Sequence, residues 1–140
     1  MRVVDANVLL YAVNPDAPLH SRAREWLDDA LDSEEAVGFA WAALLTFLRV
    51  GTNPAAFAQP LAVAEAVGVI ELWLAQPAAV IVHATARHLA LLLGLLADSG
   101  TAGNLVNDAH LAALALEHGA EIVSFDRDFQ RFAGLRSSVP

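Results

Sequence analysis

The 140-residue sequence contains no cysteine and no lysine. Without cysteine there are no disulfides and no thiolate metal ligands, although the compartment stays open. Without lysine there is no phospho-accepting receiver site, which gathers carboxylates at a strand end but also needs a lysine. No apolar run reaches the roughly 18 residues of a membrane span. Asp5 interrupts any signal-peptide pattern near Met1, so a cytoplasmic protein with no membrane contact is expected. The five histidines form no His-Glu-x-x-His zinc helix. Gly100 and Gly103 flank a loop before a helix, but the Gly-Lys-Ser/Thr of a P-loop does not follow. Their expected role is a tight turn that sets up Asn104.

Apolar residues make up 56% of the chain, which excludes a disordered protein. The length fits a single domain, residues 1–140, with a real core. A net charge of −8 opposes nucleic-acid binding overall. The charge is unevenly placed, however. Asp28, Asp29, Asp32, Glu34 and Glu35 form one acidic stretch, whereas Asp5, Asp108, Asp126 and Asp128 sit beside apolar runs. A carboxylate there is costly unless a cation compensates it. All eight basic residues are arginines, which suit bidentate phosphate contacts, although codon bias gives the same preference.

Arg2-Val3-Val4 reads as a buried strand ending at Asp5. Helices are expected over Asn7 to Val13, Pro18 to Leu31, Trp41 to Val50, Pro60 to Ala75 and Thr85 to Ala97, with strands at Ala36 to Ala40 and Ala79 to Val82. A further helix runs from an Asn104 cap to His118, with Gly119 as its C′ residue. Glu121 to Ser124 is the fourth strand. This alternation predicts an α/β fold with a small, mostly parallel sheet covered on both faces.

Binding sites in such sheets lie beyond the carboxyl ends of strands. Asp5 and Asp126 fall there, and Asp108 lies on the helix leading into the last strand, sharing a face with Asn104. Three acids brought so close would repel one another unless a divalent cation held them ionised. Oxygen ligands alone suit Mg²⁺ or Mn²⁺, and the matching chemistry is hydrolysis of a phosphodiester. Each acid also has a simpler role. Asp5 taken alone is a turn or helix cap, and Asp126 or Asp128 caps the segment Phe129 to Phe132. Asp108 is harder to dismiss, because aspartate inside a helix has poor propensity.

Four stretches then resemble a known family in order. Val4-Asp5-Ala6-Asn7-Val8-Leu9-Leu10-Tyr11-Ala12 is similar to the start of PIN-domain toxins of the VapC kind. Leu45 to Val50 with Thr52-Asn53-Pro54, Asn107 to Ala115, and Ser124 to Phe129 resemble their second, third and fourth motifs. The resemblance implies a three-layer αβα fold, a Mg²⁺ or Mn²⁺ site and endoribonuclease activity on RNA. It also implies a homodimer and a VapB-type antitoxin that occupies the cleft. Asp5, Asp108 and Asp126 would be the acidic, metal-binding site, with Asp128 supporting or alternative and Asn7 steadying the Asp5 loop.

The second motif of that family normally carries Glu where this chain has Thr46. Thr46, Arg49 and Asn53 would form a polar stripe on one helix face. Thr46 could hold a metal-bound water or be merely half-buried; Arg49 could meet phosphate or an acid, or be a structural ion-pair partner. A catalytically weak PIN-fold module that binds RNA or protein is therefore the alternative function. His110 should point away from Asp108, His83 could reach the cleft, and His88 and His118 read as surface residues. Trp26, Trp41 and Trp73 are expected in the core or a dimer interface, and the all-round apolar run Leu89 to Leu93 is expected to pack on a second subunit.

Overall fold

The computed structural model describes residues 1–100 and 103–140. In chain order the elements are β1 (Arg2–Val4), α1 (Ala6–Val13), α2 (His20–Leu31), β2 (Val37–Ala40), α3 (Trp41–Gly51), α4 (Val63–Leu74), β3 (Ala79–Val82), α5 (His88–Ser99), a 3₁₀ turn (Gly103–Leu105), α6 (Val106–Glu117), β4 (Glu121–Val123), a second 3₁₀ turn (Arg127–Arg131) and β5 (Arg136–Ser138). The strands form one sheet in the order β3-β2-β1-β4-β5, with every pairing parallel. The fifth strand was not expected, because Arg136-Ser137-Ser138 is short, polar and lies at an edge.

Alternation along the strands sends successive side chains to opposite faces. Val4, Val37 and Phe39 enter one core, which α1, α2, α3 and α4 cover. Val3, Val82 and Ile122 enter the other, under α5 and α6. Helix, sheet and helix thus make the three layers. Gly38 belongs to the second face, where a Cβ would lie 3.0 Å from both Val3 Cγ2 and Val82 Cγ1. Among the described residues no helix is long and apolar enough to cross a membrane.

Several helix ends differ from the pattern-based reading. α2 and α4 begin after their prolines, at His20 and Val63. α5 begins at His88, because Thr85 is held by Glu117 through both its N–H and its hydroxyl. α6 starts after a 3₁₀ turn with Leu105 at its N-cap, so Asn104 is not the cap. The Asn104 side chain lies outside the described residues. The other end of α6 follows expectation: Gly119 takes φ +60° at C′. The Ala120 N–H bonds Ala115 O at 2.8 Å and the Gly119 N–H bonds Leu116 O at 3.3 Å, a Schellman closure.

Candidate active site

The strand order reverses beside β1. From β1 the chain steps outward to β2 and β3, then returns to place β4 on the other side. The carboxyl ends of β1 and β4 therefore lie side by side at the turning point of the sheet, where folds of this kind hold their sites. Asp5 follows β1 directly, and Ser124, Phe125 and Asp126 follow β4.

Asp5 is 9% exposed and is fixed from several sides. Its N–H donates to Val123 O at 3.0 Å. Its Oδ1 accepts the Ala6 N–H at 2.6 Å as the cap of α1, and its Oδ2 accepts the Ser124 hydroxyl at 2.7 Å. Ser124 Oγ in turn accepts from Asn7 Nδ2 and from the Asp126 N–H, both at 2.9 Å. A serine hydroxyl has two lone pairs and one proton, so with both lone pairs taken its proton must point at Asp5. Asn7 closes the ring by accepting the Phe125 N–H at 3.2 Å. Asn7 thus steadies the Asp5 loop through Ser124 rather than by touching the carboxylate.

Asp108 enters from α6, in its first turn rather than mid-helix. With Asp5 it lines an open cleft of about 360 Å³. Thr46 and Arg49 of α3 form the opposite wall, and Asn107 stands beside Asp108. Asn53, the third member of the expected stripe, lies past the end of α3 and caps a turn through the Ala55 N–H at 2.9 Å. Arg49 is exposed and makes no ion pair among the described residues.

Asp126 and Asp128 are placed differently. Asp126 is exposed and caps the second 3₁₀ turn through the Asp128 N–H at 2.8 Å. Asp128 pairs with Arg131 at 3.0 Å on the surface. Neither lines the cleft, though both act on it through their charge. Burial pushes the Asp5 carboxyl up, the Ser124 and Ala6 bonds offset part of that, and Asp126 adds to the rise. Asp108 is pushed up to about 6, first by burial and then by Asp5, Asp126 and Asp128, with Arg131 opposing.

Two carboxylates crowding one cleft, with hard oxygen donors around them, fit a hydrated Mg²⁺ or Mn²⁺, which takes one or two carboxylates and keeps its waters. They do not make an all-protein cage: among the described residues no three His, Cys, Asp or Glu side chains are placed to enclose an ion.

The histidines lie elsewhere. His110 turns to His88, its Nδ1 2.8 Å from His88 Nε2. His88 is no simple surface residue, since its Nδ1 sits 2.7 Å from Glu117 Oε2 between α5 and α6. His83 is exposed and its carbonyl accepts from His118 Nε2 at 2.9 Å. Trp73 packs on Phe39 and Phe47 as a core residue, and Trp26 is partly buried under Arg2. Trp41 is not in the core at all: it is 50% exposed.

Residues 2–135 match the PIN domain family model. The chain belongs to the PIN-domain family. Over its full length this PIN domain is 51% identical to ribonuclease VapC37 of Mycobacterium tuberculosis, covering 97% of that protein. It is 42% identical to ribonuclease VapC33 of the same organism, covering 98% of it. Among solved structures, VapC20 of Mycobacterium tuberculosis, a sarcin–ricin loop cleaving toxin, superimposes with a TM-score of 0.71 at 17% identity, over 97% of this chain and 99% of that one. VapBC-1 of nontypeable Haemophilus influenzae does so at 0.68 and 16% identity, over 99% and 96%. The resemblance to VapC toxins drawn from the four motifs therefore holds along the chain.

The residue that sequence reasoning passed over is Ser124. It was visible as the last residue of the expected fourth strand and the first of the fourth motif, with no role attached. Its position at a strand end, opposite a buried aspartate, was the available signal.

Proposed function

We propose that residues 1–140 form one PIN domain acting as the toxin of a type II toxin–antitoxin module, an endoribonuclease that hydrolyses RNA phosphodiester bonds with Mg²⁺ or Mn²⁺. The observation that carries this is the meeting of Asp5 and Asp108 in one cleft at the strand-order reversal, each carboxyl raised by burial and by neighbouring acids. Full-length relatives named VapC ribonucleases support it.

Asp5 and Asp108 would hold the ion, and Asp126 would add negative charge to it from outside the cleft. The bound ion supplies water activation and neutralises phosphate charge. Ser124 keeps the Asp5 oxygens in one orientation, and each oxygen, accepting one bond, has a lone pair left for a further partner. Arg49, which has no carboxylate partner among the described residues, contacts a phosphate oxygen from the opposite wall. The Thr46 hydroxyl offers a donor and an acceptor to water where a glutamate would offer a charge.

Charge also bears on partners. A VapB-type antitoxin that places an arginine between Asp5 and Asp108 would replace the ion and inhibit, and solved relatives that are VapBC complexes support such a partner. The exposed Leu89 and Leu93 on α5 support a homodimer. The cytoplasm is the matching location. A weakly catalytic RNA- or protein-binding module is the second reading, favoured by Thr46 lining the cleft without a third carboxylate.

Cleavage of a mixed structured RNA pool, with Mg²⁺, with Mn²⁺ and with chelator, decides between them. Metal-dependent cutting that Asp5→Asn abolishes is expected. No cutting by the antitoxin-free protein with either metal would favour the binding module.

A further inference from the structure

α3 carries more than the wall of the cleft. Trp41, Leu45 and Arg49 recur every four residues and so stand on one face, spanning about 12 Å along the axis. Leu45 and Arg49 line the cleft, and Trp41 stands one turn before Leu45 at the start of the helix. Trp41 is 50% and Leu45 58% exposed, and neither the cores nor any ring contact among the described residues engages the indole.

Tryptophan is the side chain with most to gain from burial, so a half-open one beside a polar cleft marks a surface that something covers. The charge next to it says what. Arg49, at the other end of the same stripe, offers a guanidinium that makes no ion pair among the described residues, which suits a phosphate. A flat aromatic face at one end and a phosphate-binding cation at the other is the pairing that holds single-stranded nucleic acid, where bases stack and the backbone is neutralised. The rest of the chain is acidic, so this stripe is a local exception and holds few nucleotides.

We propose that Trp41 is a base-stacking platform that receives an unpaired nucleobase flanking the phosphate held at Arg49, and so limits the site to single-stranded RNA. This rests on the ribonuclease reading for its substrate. Trp41 is a positioning residue: it touches a base, not the reacting phosphate.

The test measures binding of fluorescein-labelled random-sequence single-stranded oligoribonucleotides in chelator, and steady-state cleavage of the same strands with Mg²⁺. Trp41→Ala is expected to weaken single-strand binding about tenfold, the loss of one stacked base. It should raise KM while sparing kcat, and leave the annealed duplex bound as by wild type. Trp41→Phe should restore most of the loss, and both variants should melt like wild type. Unchanged single-strand binding by Trp41→Ala overturns the proposal. So does a wild-type protein that binds no single strand, or a Trp41→Ala defect confined to dimerisation or to antitoxin binding. A wild-type protein that binds strands through Trp41 but cuts none supports the platform while overturning the ribonuclease reading.

Discussion

Replacing Asp108 by Asn separates the electrostatics of the cleft from its fold. In the folded chain the Asp108 carboxyl is raised from 3.8 to about 6. A rise of about two units corresponds to about 3 kcal/mol of disfavoured charge at neutral pH. Asp108 is only half withdrawn from water, and it sits in the first turn of α6 where the helix favours an anion. Screening and the helix dipole together reduce the penalty to about 1 kcal/mol. The sign follows from proton binding. A raised carboxyl binds its proton more tightly when folded, so the penalty is absent below about pH 4 and grows as pH rises through about 6. Asp108→Asn should therefore stabilise the metal-free protein at pH 7.5 by about 1 kcal/mol, or about 4 °C in Tm, and leave pH 4 unchanged. Added Mg²⁺ should raise the Tm of wild type and not of the variant. Calorimetric melts at the two pH values, with and without Mg²⁺, read all four cases. A variant destabilised equally at both pH values would refute the reasoning, since it would make Asp108 a structural residue.

Three further substitutions probe other parts of the account. Ser124→Ala leaves the Asn7 amide and the Asp126 N–H without their acceptor and should cost about 2 kcal/mol in urea unfolding, with a fall in cleavage. Gly38→Ala puts a methyl 3.0 Å from Val3 and Val82 and should cost about 1–3 kcal/mol in the same assay without changing the metal requirement of cleavage. Thr46→Glu adds a carboxylate to the wall facing Asp5 and Asp108, so half-maximal cleavage should need less Mg²⁺; an unchanged metal titration would remove Thr46 from the site.

The layers of the fold were legible because apolar periodicity records burial directly: Val3 and Val4 face opposite cores, and the α6 stripe ends on its glycine. β5 was not, because an edge strand with one neighbour needs little apolar patterning and Arg136-Ser137-Ser138 has none. Of the site, Asp5 and Asp108 could be paired from strand ends and motif order. The role of Ser124 could not, and for Asp126 the pattern left capping and metal binding both open. Sequence gives a residue's place on the loop after β4 but not which of its side chains turns inward, and here the hydroxyl turns to Asp5 while Asp126 turns back to cap its own 3₁₀ turn. His88 was misread for a similar reason. Its partner Glu117 lies 29 residues away, and only the packing of α5 on α6 joins them.

The measurement closest to the central claim is Mn²⁺ binding by the purified protein, followed through the loss of the free-ion paramagnetic resonance signal. The account predicts that wild type takes up Mn²⁺, that Asp5→Asn and Asp108→Asn each weaken it at least about tenfold, as loss of a direct carboxylate ligand should, and that Asp126→Asn weakens it less. Equal uptake by wild type and Asp5→Asn would contradict it, because the ion would then be held somewhere other than the cleft.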